Sequence, residues 1–410
     1  MVGPTTIEHD VYGEKNMQQI PVIDLSAARV GGLASRQAVA REIDATCREI
    51  GFFTITGHGV PIATMDQLRS KAHAFFALPL EEKRDAIHPV AGTPRGYRAQ
   101  GLEALAHTKA GTTTPPDLKE FYHFGRDSWP NEPYYTGPEG RNYFIPNLWP
   151  RKPEGFADAA QAYYAEMEKL AALMLRLTAL ALDLEEHFFD DKIDRHITAM
   201  RLNFYPEQTS APKPGQLRAG AHNDYGVFTI LNGESVPGGL EVLAKNGDWI
   251  AVETDPETFV VNIGNLLMRW TNDRWVSNTH RVGNPPASVA SQAKRLSIAF
   301  FQQPNYDALI ECIAPAGKAK YPPVRSGEYR DLEIPSDHRR GGLTDARAGT
   351  ISRGPRGRGT DQFAIDSERH FLGHVRLEAF ADQRAASRVR RNERQQLTDR
   401  WSIKNAARIP

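Results

Sequence analysis

The chain of 410 residues has almost no cysteine, no net charge and no long apolar run. Lysine and arginine number 50 and so do aspartate and glutamate, so the whole molecule gives no electrostatic argument for nucleic acid or a membrane surface. Two cysteines, Cys47 and Cys312, cannot build a disulfide framework, and the expected setting is reducing and cytoplasmic. Residues 1–19 are polar and lack the apolar core of a signal peptide. No stretch approaches the roughly 20 apolar residues needed to cross a bilayer. Hydrophobic residues make up 40% of the chain, enough for a large core. The length allows two domains, although barrel folds often run this long as one.

Within that frame one stretch, residues 201–301, carries chemistry. His222 and Asp224 lie two apart in a segment that alternates like a strand, where residues i and i+2 point to one face. An imidazole and a carboxylate can converge there on one ion. A second imidazole, His280, follows 56 positions after Asp224 in another apolar segment. Two imidazoles and one carboxylate, with the other positions open, suit a non-haem Fe(II) oxygenase. Arg295 and Ser297 are also two apart in a strand-like run. A guanidinium fork beside a hydroxyl suits a carboxylate. The pair suggests a 2-oxoacid cosubstrate that chelates the metal through its keto end while Arg295 and Ser297 hold its far carboxylate.

On these residues the chain resembles the 2-oxoglutarate/Fe(II)-dependent dioxygenases of the isopenicillin N synthase-like family. His222, Asp224 and His280 match the family's metal triad, and Arg295 and Ser297 its cosubstrate clamp. Asn203, Tyr205 and Pro206 match its Asn-x-Tyr-Pro element, whose tyrosine also contacts the cosubstrate. The segments at 20–25 and 51–60 match as well, and the resemblance spans about residues 18 to 330. It implies an α+β fold, a double-stranded β-helix (jelly-roll) barrel buttressed by N-terminal and central helices. His58, between Gly57 and Gly59, reads as a turn residue and not a ligand.

From the start of the chain, residues 1–19 read as a loose arm and 20–150 as an N-terminal dioxygenase region with substrate-covering loops. Residues 151–332 read as a long buttressing helix and the Fe(II)/2-oxoglutarate core. Helical spacing predicts helices over 35–50, stopped by Gly51, and 62–78. Residues 89–154 are rich in Gly, Pro, Thr and Tyr and read as long loops, of the kind that lines and covers the substrate pocket in the resembled family. An apolar stripe through Tyr163, Met167, Leu170, Met174 and Leu177 predicts a helix over 156–189, about 50 Å long. From 199 to 301 short strands and turns alternate, with strands at 240–243 and 249–252 and strand-then-turn at 258–267. Residues 333–410 depart from the family as a basic, poorly ordered extension. Within it 339–410 hold 16 Lys and Arg against 8 Asp and Glu, and 367–401 carries a basic amphipathic helical pattern. Such a tail suits RNA, a membrane surface or a partner, or is an extension without a role; the second reading is preferred.

The resemblance implies iron on His222, Asp224 and His280, with 2-oxoglutarate and O2 as cosubstrates. Tyr205 and Asn203 would stand beside the Arg295–Ser297 clamp. The products would be succinate, CO2 and a hydroxylated, desaturated or cyclised small molecule, in secondary metabolism or antibiotic biosynthesis. Phe301, Tyr97, Arg98, Tyr122 and Arg269 are the candidate substrate residues. The expected state is a monomer without membrane or nucleic-acid partners, the basic tail being the one hint of the latter. Two alternatives remain open: an iron oxidase of the same fold that does not use 2-oxoglutarate, and a non-catalytic barrel with a basic binding tail.

Overall fold

The computed structural model describes residues 19–90, 92–108 and 114–333; the expectations for the arm at 1–18, the extension from 334 and its helix at 367–401 lie outside them. The described chain is α+β. In chain order the strands of its two larger sheets are β1 (Val22–Asp24), β2 (Phe52–Thr56), β3 (Gly96–Arg98), β4 (Glu120–Gly125), β5 (Ala199–Tyr205) and β6 (Ala219–His222). They continue with β7 (Phe228–Gly233), β8 (Leu240–Leu243), β9 (Trp249–Ala251), β10 (Phe259–Ile263), β11 (His280–Val282) and β12 (Arg295–Gln302).

Eight strands form one sheet in the order β1-β2-β10-β7-β12-β5-β4-β3, and four form a second, β6-β11-β8-β9. Pairing is antiparallel except between β1 and β2. The regions 20–150 and 151–332 therefore share one sheet. Alternation along β12 explains its place in the middle. Leu296, Ile298 and Phe300 point to one face and join Met200 and Leu202 of β5 and Ile230 of β7 in the main core. That core also takes the apolar stripe of the Phe156–Ala181 helix, including Tyr163, Met167, Leu170 and Met174. The other face turns toward the second sheet. There Phe52 and Val260 pack with Leu240, Val242, Ile250 and Val252. Both faces of the large sheet are thus covered.

Helices cover 33–49 and 62–76 close to the expected bounds. Gly51 does end the first: its φ is +67°, and an added Cβ would lie 1.9 Å from the Val276 carbonyl oxygen. The long helix stops at Ala181, eight residues before the expected end, and is about 39 Å long. Asp183, with φ 60°, takes the left-handed turn that closes it. Residues 89–154 are not all loop, since β3 and β4 lie among them and every β4 residue is buried. The turn expected after β10 is a short helix, Asn265–Trp270. No helix among the described residues is long and apolar enough to cross a membrane.

Phe75 is fully buried, with the rings of Phe76, Tyr97, Tyr122 and Phe156 at 5.2–5.8 Å. Phe75→Ala should lower stability by about 3–5 kcal/mol through the cavity it leaves, read as a shift in urea midpoint at constant slope.

Candidate metal centre and cosubstrate clamp

Strand pairing, more than spacing along the chain, brings the metal-type side chains together. His280 on β11 lies directly opposite His222 on β6, and the two ring centroids are 4.3 Å apart. β6 ends at His222, so Asp224 is not a strand neighbour; it lies in the following loop. That loop is fixed by Asn265, whose N–H donates to the Asp224 carbonyl at 2.8 Å. One donor atom from each of His222, Asp224 and His280 falls within 4.8 Å of the others. His222 Nε2 is 3.9 Å from Asp224 Oδ1, and His280 Nε2 is 3.9 Å from Asp224 Oδ2.

The surroundings decide which atoms are available. His222 Nδ1 bonds the Gly220 carbonyl at 2.7 Å and His280 Nδ1 faces the Asn278 carbonyl at 3.3 Å, leaving both Nε2 atoms for a ligand. Thr229 Oγ1 and Asn262 Nδ2 donate to Asp224 Oδ2 at 2.6 and 2.7 Å. Burial, then His280, pushes the His222 pKa down to about 3, so the ring is neutral. Burial alone would raise the Asp224 pKa, but His280 and His222 beside it, with its two side-chain hydrogen bonds, hold it below the usual range. A neutral imidazole at His222, a second imidazole at His280 and an ionised carboxylate fit Fe(II). Close packing shapes the same strand: a Cβ on Gly220 would meet Ala106 Cβ and N at 2.8 Å.

The clamp residues lie on the face of the large sheet that turns toward the second sheet. Arg295 pairs with Tyr205 and Ser297 with Asn203 across β12 and β5. All four are buried, Arg295 at 1% exposure. Arg295 Nε donates to the Glu234 carbonyl at 3.3 Å, but Nη2 has no partner among the described residues, nor has Asn203 Oδ1. Burial pulls the Arg295 pKa down. A buried guanidinium nitrogen with nothing to donate to is what a carboxylate-binding site needs before it is filled.

The candidate substrate residues separate. Phe301 is on the clamp face, directly across from Thr229. Arg98 pairs with Phe121, which pairs with Asn203, so Arg98 is on that face too. Tyr97 and Tyr122 are not pocket residues: alternation turns both to the helix side, where they are 1% and 0% exposed in the main core. Their hydroxyls bond Glu120 Oε2 and the Leu148 carbonyl. Arg269 stands over the rings of Tyr321 and Tyr329 and donates to the Pro322 carbonyl, fastening the C-terminal segment. His58 is a turn residue, accepting the Val60 N–H at Nδ1 and bonding the Glu257 carbonyl through Nε2.

Sequence reasoning missed a charged group on the clamp face. Arg201 Nη1 reaches both oxygens of Glu103 at 3.0 and 3.2 Å, and Lys119 Nζ is 2.8 Å from Glu103 and 3.5 Å from Asp117. Arg218, fully buried, donates to the carbonyls of Pro237, Gly238 and Ala293 and stands 6.0 Å from the Tyr205 ring. A signal existed for Arg201, which is two before Asn203 and four before Tyr205 on one strand. None marked Arg218.

Comparison with known proteins fits this geometry. A family model described as non-haem dioxygenase in morphine synthesis N-terminal matches residues 20–152, and the 2OG-Fe(II) oxygenase superfamily model matches 197–304. The chain belongs to the 2-oxoglutarate/Fe(II)-dependent dioxygenases of the isopenicillin N synthase-like type. It is an enzyme that uses Fe(II), 2-oxoglutarate and O2. Among its relatives is the 2-oxoglutarate-Fe(II) type oxidoreductase hxnY of Emericella nidulans, 36% identical over 74% of this chain and 86% of that protein. The Validamycin A dioxygenase of Streptomyces hygroscopicus subsp. limoneus is 33% identical over 75% of this chain and 84% of its own length. Among solved structures, a full-length Neurospora crassa protein in complex with alpha-KG is 30% identical, with TM-score 0.67 over 77% of this chain and 96% of that one. The complex of the same Neurospora crassa protein with alpha-KG and thymine gives TM-score 0.66 at 30% identity, over the same shares.

Thr229→Val keeps the side-chain shape and removes one of the two hydrogen bonds that orient Asp224. Fe(II) affinity, measured by anaerobic metal titration, should fall roughly 10–100-fold, while the thermal midpoint changes little.

Proposed function

We propose that His222 Nε2, Asp224 and His280 Nε2 hold the iron, and that Arg295 and Ser297 hold the distal carboxylate of 2-oxoglutarate with Tyr205 and Asn203 beside it. The unpartnered, buried Nη2 of Arg295, on the face toward the second sheet, carries this reading. On the same reading the two facing sheets are the halves of a double-stranded β-helix with the site between them; the face-to-face packing of Phe52 and Val260 with Leu240 and Val242 supports it. The overall conversion takes a substrate C–H, 2-oxoglutarate and O2 to C–OH, succinate and CO2. Bound Fe(II) supplies the activation of O2 that couples these two oxidations.

The chain's own residues position and shield. Gly220 O and Asn278 O fix the two rings through Nδ1, and Thr229 and Asn262 aim the Asp224 carboxylate. Arg295 binds one end of the cosubstrate, which sets the direction of its other end. Buried walls keep bulk water from the reacting groups. The substrate is a small molecule, and the named relatives support a place in secondary metabolism.

Arg295→Ala should raise the apparent constant for 2-oxoglutarate by roughly two to three orders of magnitude. Removing one partner of a buried charge pair costs about 3–5 kcal/mol, and about 1.4 kcal/mol is a factor of ten. Ser297→Ala should cost about tenfold, the worth of one hydrogen bond to a charged group. Succinate formation at varied 2-oxoglutarate reads both; an unchanged constant in Arg295→Ala would remove Arg295 from the clamp.

A further inference from the structure

The clamp face extends away from the metal centre in a fixed order. Thr229, which bonds Asp224, stands across from Phe301; Ala299, two before Phe301, stands across from Arg201; and Arg201 stands across from His123. The Arg201 guanidinium carbon is 4.2 Å from the Phe121 ring centroid and 5.9 Å from that of Phe301. Phe301 is half-buried and the Arg201 side chain 19% exposed, so both keep accessible surface.

His123 is the unusual member. Arg201 Nε donates to its Nδ1 at 3.4 Å, so in the neutral ring the proton is on Nε2. Burial, then Arg201, Arg95 and Arg330, keeps the ring neutral by pushing its pKa well below the ordinary value. Nε2 is buried and has no partner among the described residues. A buried N–H without an acceptor is uncommon and costly. Nothing in the metal or 2-oxoglutarate reading uses it.

Charge narrows what can bind there. Arg201 and Lys119 share Glu103, and Lys119 also faces Asp117, which makes two cations and two anions. Arg98 gives Nη2 to the Thr93 carbonyl, and Arg95 donates to the carbonyls of Pro94, Tyr143 and Ile145. An entering carboxylate would contend with Glu103 for Arg201 and meet its negative charge. A neutral carbonyl oxygen needs only an N–H donor.

We propose that Arg201, His123 and Phe301 form the substrate-recognition wall, and that it selects an uncharged, flat small molecule bearing a carbonyl or lactam oxygen. The oxygen accepts from His123 Nε2, and the ring lies against Phe301 and the Arg201 guanidinium. This rests on the oxygenase reading, because the wall adjoins the metal centre through Thr229.

The test is calorimetric, on the anaerobic protein loaded with Fe(II) and 2-oxoglutarate. The probes are benzamide, 2-pyridone, benzoate and toluene. The two carbonyl compounds should bind about tenfold more tightly than benzoate or toluene, the ratio that one neutral hydrogen bond supplies. His123→Phe should erase that preference, whereas His123→Gln, which keeps an amide N–H near the Nε2 position, should retain most of it. Benzoate binding as tightly as benzamide would overturn the proposal. So would a preference that survives in His123→Phe, or equal or undetectable binding of all four probes. A separate titration of 2-oxoglutarate into the Fe(II) protein reads the oxygenase assignment; absence of binding there would defeat that assignment and not the wall.

Discussion

The register of β12 between β5 and β7 decides which residues face the space between the sheets. Both faces of β12 are buried, so alternation alone separates core from chemistry. Arg295 and Ser297 share one face with Phe301, while Leu296, Ile298 and Phe300 fill the main core. A slip of one residue would drive a guanidinium into the helix-side core and leave the clamp as leucine and isoleucine. Neither state is tolerable, because a buried unpaired charge costs several kcal/mol. The apolar alternation that folds the sheet is thus also what aims Arg295 and Ser297.

The same constraint explains how the interior carries so many charges. Lys119, Glu103, Arg201 and Asp117 are paired within the described chain, and Arg218 is held by three carbonyls. Burial and the nearby Arg295 bring the Arg218 pKa down to about 10. It remains a cation close to the clamp, and its charge favours an anion there over a neutral ligand. Both arginines keep one donor unspent, Arg218 its Nε and Arg295 its Nη2, whereas the Lys119, Glu103, Arg201 and Asp117 set is paired by the chain. Interior charges here fall into those satisfied by the chain and those left for a ligand, and the distinction rests on partner atoms rather than on residue type.

That distinction is what a sequence hides. Alternation made the Arg295–Ser297 face and the strand nature of 199–205 legible, because period two survives in the order of residues. The apolar stripe of the long helix was legible for the same reason, at period 3.6. Its end was not, since Asp183 differs from a helical residue only in the sign of φ. His222, Asp224 and His280 were readable as a set, yet strand alternation does not account for Asp224. It is placed by Asn265, Thr229 and Asn262, which lie far along the chain or carry no metal-site signature. Tyr97 and Tyr122 misled because aromatic residues in a Gly- and Pro-rich stretch suggest a pocket. Only strand pairing reveals which face they occupy.

Asp117 ties the outlying wall to the metal centre. Its Oδ1 accepts the Gly220 N–H at 3.0 Å, and its Oδ2 accepts the Leu105 N–H at 3.2 Å and faces Lys119. Gly220 in turn offers its carbonyl to His222 Nδ1. One carboxylate therefore joins the residues that would meet substrate to the backbone that orients a metal-type histidine. Burial raises the Asp117 pKa; Lys119 and the two backbone N–H groups oppose that rise, and Glu103 adds to it. Lys119 also bears on His222 directly: after burial and His280, its charge helps to lower that ring's pKa. The proposed wall and the proposed metal site are thus joined by hydrogen bonds, although their residues come from different strands and different sheets.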